Sequence, residues 1–233
     1  MSLILTIETS ETSCSVALGN KGIVVDELLL DNAKSHSSQL TLLIDKILKK
    51  NNIEFKNLSA VAVSKGPGSY TGLRIGVSTA KGICYALNIP LIAIGTLEAL
   101  CEGVNENIHL NSSQLPVLLC PMIDARRNEV YCRIFDKNKN ALTEIEAKII
   151  SSNSFNELLK NNLILFFGSG SIKARSLITN DNATFLTDIF PRASYLVKKS
   201  FQCYNNSEFV DVAYFEPFYL KDFIATTSKK KLF

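Results

Sequence analysis

Hydrophobic and polar residues alternate with a period of two along the first thirty residues of the chain. This pattern, rich in β-branched side chains, predicts strands at Leu3–Thr9, Ser13–Leu18 and Ile23–Leu30. The segment Asn20-Lys21-Gly22 between the last two favours a tight hairpin turn. The period then lengthens to that of an amphipathic helix in Ser35–Lys50, because leucine and isoleucine recur there three or four residues apart.

The next fifty residues continue as alternating strands and helices. Ala60–Ser64 and Leu91–Ile94 are short apolar runs that predict buried strands, and Thr71–Leu87 between them predicts a helix. Three meandering strands followed by helix–strand alternation are typical of a mixed sheet with helices on its faces. We therefore predict an α/β fold for the first hundred residues.

The second half of the chain repeats this order more weakly. Paired strands, a short helix, another strand and a final amphipathic helix follow one another, as in the first half. The predicted elements are strands Val117–Ile123, Glu129–Phe135, Ala141–Ile150 and Leu163–Phe167, and helices Ser154–Asn161 and Ala193–Tyr204. We therefore predict two related α/β lobes, residues 1–100 and 101–233, with the polar segment Glu102–Gln114 as their linker.

Charge is distributed unevenly along the 233 residues. The formal net charge is +3, and the whole excess lies in Leu220–Phe233, so the rest of the chain is neutral. This balance excludes a highly basic protein that coats nucleic acid and leaves a basic tail able to contact phosphate. The six cysteines form no close pair, and no apolar run is long enough to span a membrane. We expect a cytoplasmic protein with reduced, buried thiols.

The most distinctive local motif is a glycine-rich loop between a predicted strand and a predicted helix. It consists of Gly66, Pro67, Gly68, Ser69, Tyr70 and Thr71. Glycines permit close approach of a ligand, and the free N–H groups of a helix start favour an anion, so one interpretation is a phosphate or nucleotide loop. The other interpretation is a tight structural turn. The loop matches neither the Walker A pattern nor the dinucleotide-binding fingerprint.

The helix after this loop carries small residues four apart on one face, at Gly72, Gly76 and Ala80. An interior glycine destabilises a helix by about 1 kcal/mol relative to alanine, so we expect a compensating close approach of another element. That element could belong to the same lobe or to another subunit.

Several motifs occur in one order along the whole chain. They are the opening ILTIETS, the run GPGSYTGLRIGVSTAKG, then IGTLEAL, IDARRNEVY, GSG and EPFYLK. Together they resemble the TsaB family, non-catalytic subunits in the synthesis of threonylcarbamoyladenosine in tRNA. The resemblance implies two ribonuclease-H-like lobes of the actin/hexokinase/Hsp70 type.

The resemblance also implies partners. Proteins of this kind bind a catalytic TsaD-like subunit, which modifies the adenosine next to the anticodon, and a TsaE-like ATPase joins them. We accordingly expect a scaffold that acts on tRNA through its partner and forms homodimers when isolated. No cofactor is expected for the chain itself, and ATP or ADP would bind at the interface with the partner complex.

Candidate residues follow by matching motifs. The predicted partner interface comprises His36, Gly72, Arg74, Ile75, Gly76, Thr79, Ala80 and Ile83. The predicted cleft comprises Glu8, the glycine-rich loop, Asp124, Arg126, Gly168 and Gly170. For the pair Asp124 and Arg126 a fixed salt bridge or turn is the alternative, and for Gly168 and Gly170 a plain strand–helix turn.

Two departures favour a non-catalytic role. The catalytic paralogue binds metal through two histidines four residues apart, whereas this chain has His36 and Leu40, so we predict no metal site. The superfamily's first strand usually carries Asp, whereas this chain has Glu8. The alternatives are a stand-alone ATP-dependent phosphotransferase and, less favoured because no Ser-His-Asp arrangement is evident, a glycoprotease-type peptidase.

Overall fold

The computed structural model describes residues 2–31, 36–104 and 115–221. Its first sheet has five strands, and three of them form the antiparallel meander that the alternating pattern predicts. The strands are β1 (Leu3–Glu8), β2 (Cys14–Asn20), β3 (Ile23–Leu30), β4 (Ala60–Gly66) and β5 (Leu91–Gly95). They lie in the order β3-β2-β1-β4-β5, with β4 parallel to both β1 and β5.

Helices cover both faces of this sheet. They are α1 (His36–Lys50), α2 (Tyr70–Leu87) and α3 (Thr96–Cys101). The apolar stripe of α1 is buried in the core with the side chains of β1, β2 and β4, as its helical period predicts. The helix α2 begins where the Ser69 hydroxyl accepts the Gly72 N–H, and it ends at Asn88 in the left-handed conformation.

The second sheet repeats the topology of the first. Its strands are β6 (Val117–Asp124), β7 (Glu129–Cys132), β8 (Phe135–Asp136), β9 (Glu146–Ile149), β10 (Leu163–Phe167) and β11 (Ala183–Phe185). The order is β9-β7-β6-β10-β11, with an antiparallel side and a parallel side, and β8 pairs with β6. The prediction of two α/β lobes, each with a mixed sheet flanked by helices, is therefore confirmed.

The chain returns to the first sheet after it has built the second. The later helices are α4 (Asn156–Leu159), α5 (Ser169–Ala174) and α6 (Val197–Asn205). The last of these packs on β1, β2 and β5, and Val210 then pairs with Leu91. The domain boundary at residue 100 stays a prediction, because α6 follows the second sheet in the chain but packs on the first sheet.

Some predicted elements differ from the observed ones. The predicted strand Glu129–Phe135 is divided into β7 and β8, and only Glu146–Ile149 of Ala141–Ile150 is a strand. The helix predicted over Ala193–Tyr204 begins as a 3-10 turn, Ala193–Leu196. Most of the predicted linker, residues 105–114, and the tail beyond residue 221 lie outside the described residues. None of the described helices is long and apolar enough to cross a membrane.

Candidate functional site

A cleft of about 920 Å³ lies between the two lobes and collects most of the predicted cleft residues. The first lobe contributes the β1–β2 turn, with Ser10 and Glu11, and the glycine-rich loop Pro67–Thr71. The second lobe contributes the β6–β7 turn and the start of α5 at Ser169. The chain after α6 completes the rim of the cleft. The residues that line the cleft from these last elements are Asp124, Arg126, Arg127, Glu129, Phe218, Tyr219 and Lys221.

The glycine-rich loop is packed tightly on both sides. The Ser69 N–H donates to the Ser10 carbonyl at 2.6 Å, and a Cβ on Gly68 would lie 2.5 Å from the same oxygen. Gly66 has φ +115°, and a Cβ there would lie 2.5 Å from the Phe218 carbonyl oxygen. The loop is therefore a tight turn held between the β1–β2 turn and the C-terminal segment. Its ability to bind nucleotide stays a prediction.

Glu8 lies beneath the cleft rather than on its wall. Its carboxylate oxygen Oε1 accepts the Ser10 N–H at 2.6 Å and the Ser64 hydroxyl at 2.8 Å, and the side chain is fully buried. Burial raises the pKa of this carboxyl above its ordinary value, against the effect of these hydrogen bonds. The Glu8 carboxylate therefore connects the end of β1 with Ser64 of β4.

Glu11 connects the two lobes across the cleft. The Ser169 hydroxyl at the start of α5 donates to its carboxylate, and the Asp124 N–H donates to the same hydroxyl at 2.9 Å. Burial raises the pKa of Glu11 to about 7, and the nearby carboxylates of Glu8 and Asp124 act in the same direction. Glu11 therefore changes charge near neutral pH.

The β6–β7 turn holds two consecutive arginines in the left-handed conformation. Arg126 has φ 68° and Arg127 has φ 51°, a region that costs a residue with a Cβ roughly 1–2 kcal/mol. Asp124 accepts the Arg126 N–H at 2.6 Å, and Lys173 bonds both Asp124, at 2.7 Å, and the Arg127 carbonyl, at 2.9 Å. Asp124 and Arg126 thus form a fixed turn, which was one alternative for this pair, whereas the salt bridge of Asp124 is to Lys173 rather than to Arg126. The turn also lines the cleft.

Gly168 and Gly170 have a packing role at the same end of the second sheet. Gly168 has φ +89°, and a Cβ there would lie 2.3 Å from the Met122 carbonyl oxygen. A Cβ on Gly170 would lie 2.8 Å from Val130 Cγ1. These glycines let α5 approach β6 and β7, and so position Ser169 in the cleft, although neither glycine lines it.

The small-residue face of α2 packs inside its own lobe. A Cβ on Gly72 would lie 2.0 Å from the Thr9 carbonyl oxygen, and one on Gly76 would lie 2.3 Å from the Thr9 hydroxyl. Ala80 is also fully buried. These contacts favour the interpretation that the small-residue face approaches its own lobe, and contact of these three positions with a partner stays a prediction.

The other predicted interface residues lie nearer the surface. Arg74 is exposed, and Ile75, Thr79 and Ile83 are half-buried on the same helix. His36 begins α1, and its side chain lies outside the described residues. Partner binding by these residues stays a prediction.

Two cleft features were not identified from the sequence. Glu11 contacts Ser169, which lies 158 residues away, and no local pattern indicates such a contact. Tyr219 packs 4.8 Å from the Tyr70 ring and accepts a hydrogen bond from Arg74 Nε at 3.1 Å. The sequence offered one signal for Tyr219, its position in the motif EPFYLK, but the motif alone does not indicate that Tyr219 lines the cleft.

The cysteine side chains are buried, and the potential metal-ligating side chains of the described residues are not clustered. Within residues 2–31, 36–104 and 115–221 no three His, Cys, Asp or Glu side chains are grouped to hold a metal ion. All six cysteines are buried and free. Burial raises the pKa of Cys14, Cys84 and Cys203 to about 11, which makes these thiols poor nucleophiles.

Comparison with known proteins gives matches along most of the chain. The family model described as "TsaD: tRNA N6-adenosine threonylcarbamoyltransferase" matches residues 30–226. A protein of Buchnera aphidicola subsp. Acyrthosiphon pisum, named tRNA threonylcarbamoyladenosine biosynthesis protein TsaB, is 32% identical over 222 residues. That alignment covers 89% of this chain and 97% of the relative. A Haemophilus influenzae protein of the same name is 28% identical over 230 residues, covering 94% and 93%.

A solved structure shows the same fold. It is a Pseudomonas aeruginosa protein described as similar to peptidase YeaZ, with a TM-score of 0.79 and 21% sequence identity. The superposition covers 95% of this chain and all of the other. At this identity the likeness concerns the arrangement of the two lobes rather than the chemistry of the cleft.

Proposed function

We infer the function of this chain from its family, because it belongs to the TsaB family, which is related in sequence to TsaD. We assign to it the role of a subunit in the synthesis of threonylcarbamoyladenosine in tRNA. In this role the chain is a non-catalytic scaffold that binds and activates a TsaD-like enzyme. The observation that carries the assignment is the alignment with a TsaB protein over 97% of that protein's length.

The geometry of the cleft supports a non-catalytic role. The glycine-rich loop is packed against Ser10 and Phe218, which gives its glycines a structural role within the chain. Glu8, which occupies the superfamily's acidic position on the first strand, is used in internal hydrogen bonds to Ser10 and Ser64. Both features weigh against the alternative of a stand-alone ATP-dependent phosphotransferase.

The partners belong to the same proposal. The chain binds a TsaD-like subunit through exposed and half-buried residues of α2, and a TsaE-like ATPase joins the complex. Isolated chains form homodimers through the same surface. Any ATP or ADP binds at the interface of the complex, and the protein acts in the cytoplasm.

Reconstitution tests this assignment. Purified TsaD-like and TsaE-like proteins from the same organism are incubated with threonylcarbamoyl-adenylate and an unmodified tRNA, with and without this chain. Modification should require all components, and this chain alone should produce none. An equal rate without the chain would exclude the scaffold role, whereas ATP turnover by the isolated chain would favour the phosphotransferase.

A further inference from the structure

The β6–β7 turn places two long cationic side chains at the cleft in a conformation that disfavours them. Arg126 and Arg127 both have positive φ, where asparagine and glycine are the residues that fit most easily. Backbone strain of this kind persists where the surrounding structure imposes it, and it is frequent at binding sites. Here Asp124 and Lys173 impose it through hydrogen bonds to the turn.

The charges around the turn leave these two arginines uncompensated. Asp124 pairs with Lys173, and Glu129 pairs with Lys221, so the acidic side chains nearest in the chain are neutralised. Both guanidinium groups are exposed and line the cleft. Within the part of the chain that the structure describes, neither guanidinium makes an ion pair or a hydrogen bond. Two adjacent free guanidiniums are a suitable site for a phosphate group, which they can bind in bidentate fashion.

Aromatic side chains lie along the same cleft. Tyr70, Tyr131, Phe218 and Tyr219 all contribute to its lining. Tyr70 packs against the Tyr219 ring and the Arg74 guanidinium, whereas the Phe218 ring is exposed. Aromatic rings beside a cationic rim are the combination with which proteins hold unpaired nucleotides, because bases stack on the rings while the cations bind the backbone.

We propose that the Arg126–Arg127 turn binds the phosphate backbone of a single-stranded segment of the substrate tRNA, so that this chain contacts the RNA directly. This step rests on the proposed function, since it assumes a complex that acts on tRNA. Exposure of both arginines at the cleft mouth fits an extended polyanion better than an enclosed nucleotide.

The test uses the full chain in complex with its TsaD-like partner and three double variants. Arg126→Gln/Arg127→Gln removes both charges, and Arg126→Asn/Arg127→Gly removes them while supplying the residues that tolerate positive φ. The control, Lys160→Gln/Arg175→Gln, removes two exposed charges of the same lobe outside the cleft. Fluorescence anisotropy measures binding of an unmodified tRNA that reads codons beginning with A, at several salt concentrations. Calorimetry measures ADP binding to the same complexes.

We expect both turn variants to weaken tRNA binding at low salt at least about tenfold. We also expect them to flatten the dependence of log K on log salt by about 1.4, the value for two phosphate contacts on a single strand. The Asn-Gly variant should unfold at a higher temperature than the wild type, because it relieves backbone strain while losing RNA affinity. The control should retain most of the affinity.

Three results would overturn the proposal. The first is tRNA affinity in the Asn-Gly variant equal to that of the wild type. The second is equal weakening in the control, which would indicate non-specific attraction. The third is loss of ADP binding with unchanged tRNA binding, which would assign the site to a free nucleotide. Co-purification with the TsaD-like subunit separates these failures from failure of the scaffold assignment, since the proposed function places that association on α2 rather than on the turn.

Discussion

A single methyl group added at Gly72 tests how closely α2 lies against the first sheet. Alanine in place of glycine normally stabilises a helix interior by about 1 kcal/mol. Here the new Cβ would lie 2.0 Å from the Thr9 carbonyl oxygen, a backbone atom that cannot rotate away. Relief requires α2 to shift, which also weakens the 2.8 Å hydrogen bond from the Thr9 hydroxyl to the Gly72 carbonyl. Overpacking costs about 1–3 kcal/mol and a lost hydrogen bond about 1 kcal/mol more, and the gain in helix propensity offsets about 1 kcal/mol. We therefore expect Gly72→Ala to lower the free energy of unfolding by about 1–3 kcal/mol.

The same helix supplies the control. Gly82 has no heavy atom within 4 Å of an added Cβ and is exposed, so Gly82→Ala should raise the free energy of unfolding by about 0.5–1 kcal/mol. At Gly76 the obstacle is the Thr9 hydroxyl rather than backbone. Thr9→Ala should therefore partly rescue Gly76→Ala but not Gly72→Ala. Urea unfolding followed by circular dichroism measures the four single variants and the two double variants that contain Thr9→Ala. Equal stability of Gly72→Ala and Gly82→Ala would refute the close packing.

Two further predictions concern the cleft and the C-terminal segment. Burial raises the pKa of Glu11 from 4.5 to about 7, so the folded state holds a proton that the unfolded state releases, and stability falls as pH rises between those values. In the wild type the free energy of unfolding should therefore fall by about 3 kcal/mol between pH 4.5 and 7.5, and Glu11→Gln should abolish this fall. A variant with the same pH profile as the wild type would contradict the prediction. Lys81 donates to the Ala213 and Phe215 carbonyls at 3.0 Å each. Lys81→Met should accelerate amide exchange in residues 212–218 about tenfold, while Lys56→Met should not.

The strands and long helices could be predicted because their signals are local. Two predicted strands, Leu163–Phe167 and Ile23–Leu30, match the observed ones residue for residue. The signals for each, its apolar pattern and the turn residues that bound it, lie within a few positions along the chain. Helix α5 was missed because Gly168-Ser169-Gly170 has the composition of a turn. Its glycines are required by tertiary contacts with β6 and β7, which the local sequence does not indicate.

The site was predicted in part for the same reason. Close approach at Gly72 and Gly76 followed from helix propensity, but the surface that approaches is the lobe's own strand end at Thr9. The contact between Glu11 and Ser169 joins positions 158 residues apart. Such a contact depends on how the two lobes meet, and a single sequence contains no pattern that reports it.

The repeated topology explains why the two sides of the cleft differ in chemistry. The β1–β2 and β6–β7 turns are topologically equivalent, since each joins the first two strands of its sheet, and both line the cleft. In the first lobe that turn packs against the glycine-rich loop, because the Ser10 carbonyl accepts a hydrogen bond from the Ser69 N–H. In the second lobe the equivalent turn is braced from behind by Lys173, which leaves its outer surface, with Arg126 and Arg127, free for a ligand. The binding that we propose for this cleft therefore uses the second lobe, where Arg126 and Arg127 also hold positive φ.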